Sequence, residues 1–393
     1  MLNLKLNLMK TLLKLLIITL TTTTLFCNAN NIEAENTTTN LFETSPKPTI
    51  KVALLLDTSN SMDGLINQAK TQLWEIVNEL SYSRCGTESP NLFIALYEYG
   101  NDGLESSDGY IRQVLNFSED LDEISEKLFD LKTNGGSEYC GQVIQTSLNQ
   151  LEWGANKNDL KLIFIAGNEP FTQGTINYKN AAINANEKDV TVNTVFCGNY
   201  ENGISGKWQD GAKLTNGDYI TINQNQEIVH IATPYDKIII ELNTKLNNTY
   251  VSYGRQGYSK LSLQSDQDSK AEELDEVVIV KRAVSKSSRM YKNSSWDLVD
   301  AEKEENFNYS KLDKKSLPKY LQSKTTEQLK KYVALKGTER VEIQKKIQDL
   351  NKLRNAYVLK KKTESTNTNN LESALITAIK KQAVKKNFSW QKN

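Results

Sequence analysis

The sequence predicts an α/β fold, in which a doubly wound, mostly parallel sheet is flanked by helices and followed by a mainly α-helical C-terminal extension. Apolar runs at residues 50–56, 160–166 and 190–196 have the almost unbroken hydrophobicity of strands buried on both faces. Stretches with helical spacing of apolar residues separate these runs. Strands that alternate with helices in this order are typical of a parallel sheet covered by helices on both faces.

The remaining elements of the α/β domain show the same two periodicities. The helix after the first strand is indicated by apolar residues at helical spacing, namely Leu65, Ala69, Leu73, Val77 and Leu80. Further strands are predicted over residues 92–99, 110–117 and 219–222. Further helices are predicted over residues 121–131, with Ser118 as the cap, and over residues 142–151, 177–188 and 235–246.

A basic, charged extension follows the α/β domain after Gly254. Its predicted helices cover residues 271–291, 296–304, 326–362 and 371–386, and Thr325 with Gln328 forms a capping box before the longest one. Residues 48–254 carry 14 Lys and Arg against 27 Asp and Glu, a net charge of −13, whereas residues 255–393 carry 30 against 18, a net charge of +12. We expect the extension either to pack on the acidic domain or to contact an anionic surface.

The N-terminus has the pattern of a secretory signal peptide over residues 1–29. Lys10 and Lys14 precede an apolar stretch of about 12 residues, which is shorter than the ~20 that a membrane-spanning helix needs. Cleavage after Ala29 leaves a linker over residues 30–48, the α/β domain over 49–254 and the extension over 255–393. We therefore expect an exported protein, periplasmic or extracellular, with no transmembrane helix in the mature chain; lipid anchoring at Cys27 is the alternative to a soluble form.

One motif of the α/β domain carries chemistry, the segment Asp57-Thr58-Ser59-Asn60-Ser61 at the end of the first buried strand. A carboxylate and two hydroxyls at alternate positions, in the turn that leads into a helix, converge on one point at the edge of the sheet. Open α/β sheets place their ligand sites at the carboxyl ends of the strands. Oxygen ligands suit Mg²⁺ first, with Ca²⁺ or Mn²⁺ as alternatives, and the single His230 excludes a multi-histidine zinc site.

At this motif the chain resembles the von Willebrand factor type A (VWA) family. The resemblance rests on the apolar strand, on Asp57, Ser59, Ser61 and Met62, on the amphipathic helix that follows, and on a Gly-Gly turn; it covers residues 50–246. It implies a metal-ion-dependent adhesion site, in which an acidic side chain of a partner protein completes the coordination of the metal. Members of the family are typically adhesive, extracellular or assembly proteins.

Two further family positions differ in this chain. Ser137, directly after the Gly-Gly turn, offers a hydroxyl where the family usually has a threonine ligand, and Thr133 is the fallback. Gly167 stands where the family has its second aspartate, so Asn168 or Glu169 is the substitute that the resemblance leaves. The site is therefore partial. In the alternative interpretation it is a relic, in which Ser59 and Ser61 only cap the following helix.

Cysteines of the α/β domain suggest a second feature of the same edge. Cys140 lies just past the Ser137 loop and Cys197 ends the third buried strand, so both are expected at the metal end of the sheet. In an exported protein the two can form a disulfide, which leaves Cys85 unpaired; a buried free thiol at each position is the alternative.

These observations predict an exported protein-binding or adhesion-type module, and not an enzyme. It engages an unknown protein partner that presents an acidic residue, through a divalent metal at the carboxyl end of the sheet; the zero net charge of the chain argues against a nucleic-acid partner. The alternative is an assembly or quality-control adaptor for an envelope complex, with a degenerate, structural site. A metal-dependent hydrolase ranks last, because the sequence supplies no general base beside the motif.

Overall fold

A computed structural model describes residues 47–223, 230–363 and 371–390 of the chain. The predicted signal peptide, Cys27 and residues 30–46 of the predicted linker lie outside the described residues.

The α/β domain is built around a six-stranded, mostly parallel sheet. The strands are β1 (Thr49–Asp57), β2 (Ser83–Cys85), β3 (Asn91–Tyr99), β4 (Ile111–Ser118), β5 (Leu160–Gly167), β6 (Thr191–Cys197), β7 (Tyr219–Ile222) and β8 (Phe388–Trp390). The sheet has the order β4-β3-β1-β5-β6-β7, and β2 and β8 form a separate antiparallel pair. Only β4 is antiparallel to its neighbour in the main sheet. The predicted fold class is confirmed.

Helices cover both faces of this sheet and form most of the extension. They are α1 (Asp63–Ser81), α2 (Leu121–Phe129), α3 (Cys140–Gln150), α4 (Tyr178–Glu187), α5 (Tyr200–Ser205), α6 (Trp208–Lys213), α7 (Asp236–Asn247), α8 (Gly257–Leu274), α9 (Glu276–Lys286), α10 (Leu298–Ala301), α11 (Lys319–Gln322), α12 (Thr326–Thr363) and α13 (Leu371–Val384). No helix among the described residues is long and apolar enough to cross a membrane.

The central strand β1 shows why the sheet is buried on both faces. Val52 and Leu56 belong to the core between the sheet and α1, whereas Ala53 and Leu55 belong to the core beneath α3 and α4. Successive side chains of a strand point to opposite faces, so an apolar residue at every position fills both cores. β1 pairs with β3 on one side and β5 on the other, which places its last residue, Asp57, at the middle of one sheet edge.

The extension packs on the acidic domain, which is one of the two alternatives that the sequence predicts for it. Salt bridges that cross between the two include Arg282 with Asp122, Lys260 with Asp120, Lys270 with Asp130, Lys380 with Glu79, Lys381 with Asp218 and Lys386 with Asp189. The helix α13 lies on α1 and near β7, and β8 pairs with β2. The opposite net charges of the two segments are therefore partly matched within the chain itself.

Helix boundaries correct two predictions and confirm a third. Residues 271–291 were expected to form one helix, but the chain breaks at Asp275, whose backbone is extended and whose carboxylate caps α9 by accepting a hydrogen bond from the Val277 N–H at 2.6 Å. The cap of α2 is Asp120 and not Ser118. The capping box is confirmed, since Thr325 N–H donates to Gln328 Oε1 and Gln328 N–H donates to Thr325 Oγ1.

Candidate functional site

Asp57 occupies the carboxyl end of β1 and is fully buried. Its Oδ1 accepts a hydrogen bond from the Ser59 N–H at 2.7 Å, which closes the turn after the strand. Its Oδ2 is also buried and accepts no hydrogen bond from any described residue. A buried carboxylate oxygen without a hydrogen-bond partner carries a large desolvation cost. A ligand bound to Oδ2 would offset that cost.

The two serines of the motif lie beside this carboxylate. A short 3₁₀ turn over Asn60–Met62 brings the Ser59 and Ser61 hydroxyl oxygens to 3.5 Å from one another. Neither the turn nor α1 receives a side-chain cap from them. The interpretation in which the serines only cap the helix is therefore not supported by the geometry.

Asn168 approaches the serines from the end of the neighbouring strand β5. Its Nδ2 lies 3.2 Å from Ser61 Oγ, to which it donates. Its Oδ1 is buried and has no hydrogen-bond partner among the described residues. Glu169 is also close enough to Asp57 for its charge to act there, but its carboxylate accepts a hydrogen bond from Gln173 Nε2 at 3.1 Å.

The Gly-Gly loop closes the site from a third direction. Gly135 O accepts a hydrogen bond from the Asn60 N–H at 3.2 Å. A Cβ on Gly136 would lie 1.5 Å from Gly100 O and 3.2 Å from Ser59 Cβ, so only glycine lets the loop approach the motif this closely. Ser137 follows at once and is half-buried, although no hydrogen bond within the described part of the chain joins its hydroxyl to Ser59.

Thr133, the fallback for Ser137, has a different role. Its hydroxyl donates to the Asp63 carboxylate at the start of α1. That bond holds the loop against the helix and occupies the Thr133 hydroxyl.

The structure explains why no carboxylate replaces Gly167. A Cβ at this position would lie 2.6 Å from Tyr99 Oη and 3.0 Å from Asp57 Oδ2. The Tyr99 hydroxyl is fixed there because it donates to Ala166 O at 3.0 Å and its ring is fully buried. The phenol thus fills the space that a side chain at residue 167 would need.

Glu138 is a buried acidic residue near Asp57 that the sequence analysis did not single out. It is 6% exposed, and its Cγ lies 2.8 Å from the point where a Cβ of Gly100 would stand. Asp57 Oδ1 lies 2.9 Å from that same point. A glutamate directly after Ser137, in a loop already assigned to the metal edge, was the available signal.

A family model for the von Willebrand factor type A domain matches residues 51–204. This segment contains the motif, the Gly-Gly loop and the strand that ends at Gly167. Residues 51–204 form a VWA domain. No curated protein matches the chain.

Solved structures similar to the chain include other VWA domains. BatB from Bacteroides thetaiotaomicron is 16% identical, with 44% of this chain and 90% of that one covered and a TM-score of 0.34. The SpRpn10 VWA domain is 14% identical, with 46% and 100% covered and a TM-score of 0.34. The pilus adhesin SpaC from Lactobacillus rhamnosus GG is 11% identical, with 46% and 28% covered and a TM-score of 0.34.

The acidic groups at the Asp57 edge of the sheet are strongly affected by burial. Burial raises the pKa of Asp57 to about 7, in spite of the hydrogen bond from Ser59. Burial also raises the pKa of Glu138 to about 7, and the charges of Asp57 and Glu169 add to the effect. Within the described ranges, no group of three or more Asp, Glu, His and Cys side chains is arranged to hold a metal ion.

The cysteines of the VWA domain do not form the predicted disulfide. Cys140 and Cys197 are both buried free thiols, and Cys85 is free and half-buried. Cys140 Sγ lies 3.8 Å from Tyr99 Oη, and burial raises the pKa of both buried thiols well above the usual range. The structure therefore has the alternative arrangement, in which each thiol acts as a small apolar group of the core.

Proposed function

We propose that the VWA domain is a protein-binding module that holds a divalent cation, Mg²⁺ first, and uses it to engage an acidic side chain of a partner protein. The observation that carries the proposal is the buried Asp57 carboxylate, whose Oδ2 has no hydrogen-bond partner among the described residues. Asp57, Ser59 and Ser61 would hold the ion, with Ser137 and Asn168 as further oxygen donors. These donors are the hard oxygens that Mg²⁺, Ca²⁺ and Mn²⁺ prefer.

A bound cation would supply the positive charge that this edge of the sheet lacks. It would offset the burial of the Asp57 carboxylate and would leave a coordination position for a carboxylate from outside. Because Gly167 contributes no side chain, the end of β5 supplies no carboxylate at this position, and an anionic group of the partner would take a coordination position of the ion.

A binding function is proposed rather than catalysis. The charged groups that act on His230 are Asp275, Lys281, Arg354 and Glu75, so this histidine belongs to another part of the molecule. The residues around Asp57 are fixed by main-chain and hydroxyl contacts, and they are suited to hold an ion.

Export to the periplasm or the cell exterior is part of the proposal. It rests on the signal-peptide pattern of residues 1–29, which lie outside the described residues. The envelope adaptor with a degenerate, structural site remains the second candidate. It is favoured by Gly167 and by Asn168 Nδ2, which donates to Ser61 Oγ and so presents its N–H group to the serine.

Isothermal titration of the full chain with Mg²⁺, Ca²⁺ and Mn²⁺ tests the metal. We expect saturable heats for the wild-type protein and their loss in Asp57→Asn, which keeps the shape of the side chain but removes its charge. Asp108→Asn is the matched control, since Asp108 is exposed in a neighbouring loop, and it should bind like the wild type. Equal and negligible heats from the wild type and Asp57→Asn would favour the degenerate site.

A further inference from the structure

We infer that Glu138 is a second carboxylate ligand of the cation site. The inference deepens the proposed function and rests on it, because it assigns one more residue to the same site. It changes the chemistry of the site from one carboxylate with hydroxyls to two carboxylates that approach from different loops.

Gly100 shows that the side chain of Glu138 lies close to the carboxylate of Asp57. A Cβ at this glycine would lie 2.8 Å from Glu138 Cγ and 2.9 Å from Asp57 Oδ1, so these two atoms are no more than about 6 Å apart. Gly100 has a φ of +78°, a conformation that favours glycine, so the space beside it stays open to the two acidic side chains. Glu138 therefore reaches the same side of the motif as Asp57 Oδ1.

The loop holds Glu138 firmly in this position. Gly136 packs against Gly100 O and Ser59, and Gly135 O accepts the hydrogen bond from Asn60. On the other side, the helix α3 begins two residues after Glu138, and Tyr139 O accepts hydrogen bonds from its first turn. A side chain between two such fixed points is pre-organised, which is what a metal ligand requires.

Glu138 and Asp57 have no positively charged partner among the described residues. Glu98, on the neighbouring strand β3, is a buried glutamate too, but Arg112 Nη2 lies 2.5 Å from its Oε1. Within the described part of the chain, no lysine or arginine forms a salt bridge with Asp57 or Glu138. Two buried carboxylates of like charge are costly together, and a divalent cation between the two loops offsets that cost.

Glu138 also suits this role better than Glu169, the carboxylate that the family position leaves. Glu169 already accepts a hydrogen bond from Gln173 and is less buried.

Binding of Mn²⁺ to the full chain, followed by electron paramagnetic resonance of the free ion, tests the inference. Glu138→Gln should raise the Mn²⁺ dissociation constant by at least about tenfold, since it removes a charged ligand. Glu105→Gln, which removes one negative charge from an exposed position of a neighbouring loop, is the matched control and should stay within about twofold of the wild type. Equal losses in the two variants, or none in Glu138→Gln, would overturn the inference.

Glu138→Asp separates ligation from a general charge effect, and it also serves if the glutamine variant fails to fold. It keeps the charge but shortens the side chain by one methylene, so a ligand role predicts weaker binding and wild-type affinity would refute it. Asp57→Asn distinguishes the two proposals: if it abolishes binding while Glu138→Gln does not, the metal site stands and the role of Glu138 fails. If the wild type binds no Mn²⁺, both fail.

Discussion

Two buried aspartates of this protein, Asp57 and Asp268, have opposite surroundings. Around Asp268, on α8, Arg282 Nε lies at 2.6 Å, Lys286 Nζ at 2.8 Å, and the amides of Asn243 and Asn247 at 2.9 and 2.8 Å. Burial alone would raise its pKa, but Lys286 and Arg282 outweigh burial and hold the pKa of Asp268 well below its usual range. Asp57 has no such cation, and burial raises its pKa to about 7.

This difference separates a buried charge that stabilises the fold from one that is suited to bind a cation. The charges of Asp268, Arg282 and Lys286 are paired among the described residues, and they join the extension to the VWA domain, since Arg282 also pairs with Asp122 at 2.8 Å. Among the described residues, no lysine or arginine pairs with Asp57. A buried charge that the chain itself neutralises supports the fold, whereas one that it leaves without a cation is suited to binding one from outside.

The largest expected change in the free energy of unfolding comes from breaking the cluster of Asp268, Arg282 and Lys286. Asp268→Asn should lower the free energy of unfolding by roughly 3–5 kcal/mol, because it leaves Lys286 buried without its carboxylate. Urea unfolding followed by circular dichroism measures this. Asp266→Asn, at an exposed position of the same helix, is the control and should change stability by less than about 0.5 kcal/mol. A loss of similar size in both would show that the cluster contributes little.

Acid should remove the same contribution in the wild type. The pKa of Asp268 is lower in the folded protein than its usual value of 3.8. Its contribution is therefore present above about pH 4 and is lost progressively as the pH falls from there towards the folded value. The stability difference between wild type and Asp268→Asn should narrow over that window, and a constant difference between pH 6 and pH 3 would contradict this.

The smallest expected effect is an increase in the free energy of unfolding, and it comes from a substitution at Asp57. In cation-free buffer, Asp57→Asn should raise the free energy of unfolding by about 1 kcal/mol, because a neutral amide is less costly to bury than a carboxylate without a cation. Added Mg²⁺ should reverse the order by stabilising only the wild type. Thermal unfolding with and without EDTA measures both, and a large cation-free loss in Asp57→Asn would make Asp57 an architectural residue like Asp268.

Local signals in the sequence were sufficient for the strands of the main sheet and for the motif, but α8 (Gly257–Leu274) was not predicted, and the predicted helix over 296–304 is limited to Leu298–Ala301. The apolar run of β1 predicted the central strand and the position of Asp57, and the pair Thr325 and Gln328 predicted the start of α12, because each depends on residues that are close in the chain. The break at Asp275 was missed because the apolar residues that follow it continue a helical pattern. At that point the extended backbone and the side-chain cap decide the structure.

Contacts between distant segments could not be read in the same way. Tyr99 fills the space beside Gly167 because β3 and β5 flank β1, and Glu138 reaches Asp57 because Gly136 packs on Gly100. The shared end of the sheet left two alternatives for Cys140 and Cys197, a disulfide or two buried free thiols. In the structure each thiol packs within the core, and Cys140 contacts Tyr99. Side-chain direction, which spacing in the sequence does not give, decided all three.

The position of α13 on the sheet also affects the order in which the chain can fold during its synthesis. Leu375 and Ile379 of this helix cover an apolar cavity of about 50 Å³ between α1 and the sheet, and β8 then pairs with β2. Every other wall of that cavity is translated long before this segment. A nascent or interrupted chain would therefore present the apolar surface to chaperones and proteases, and the arrival of residues 371–390 would conceal it.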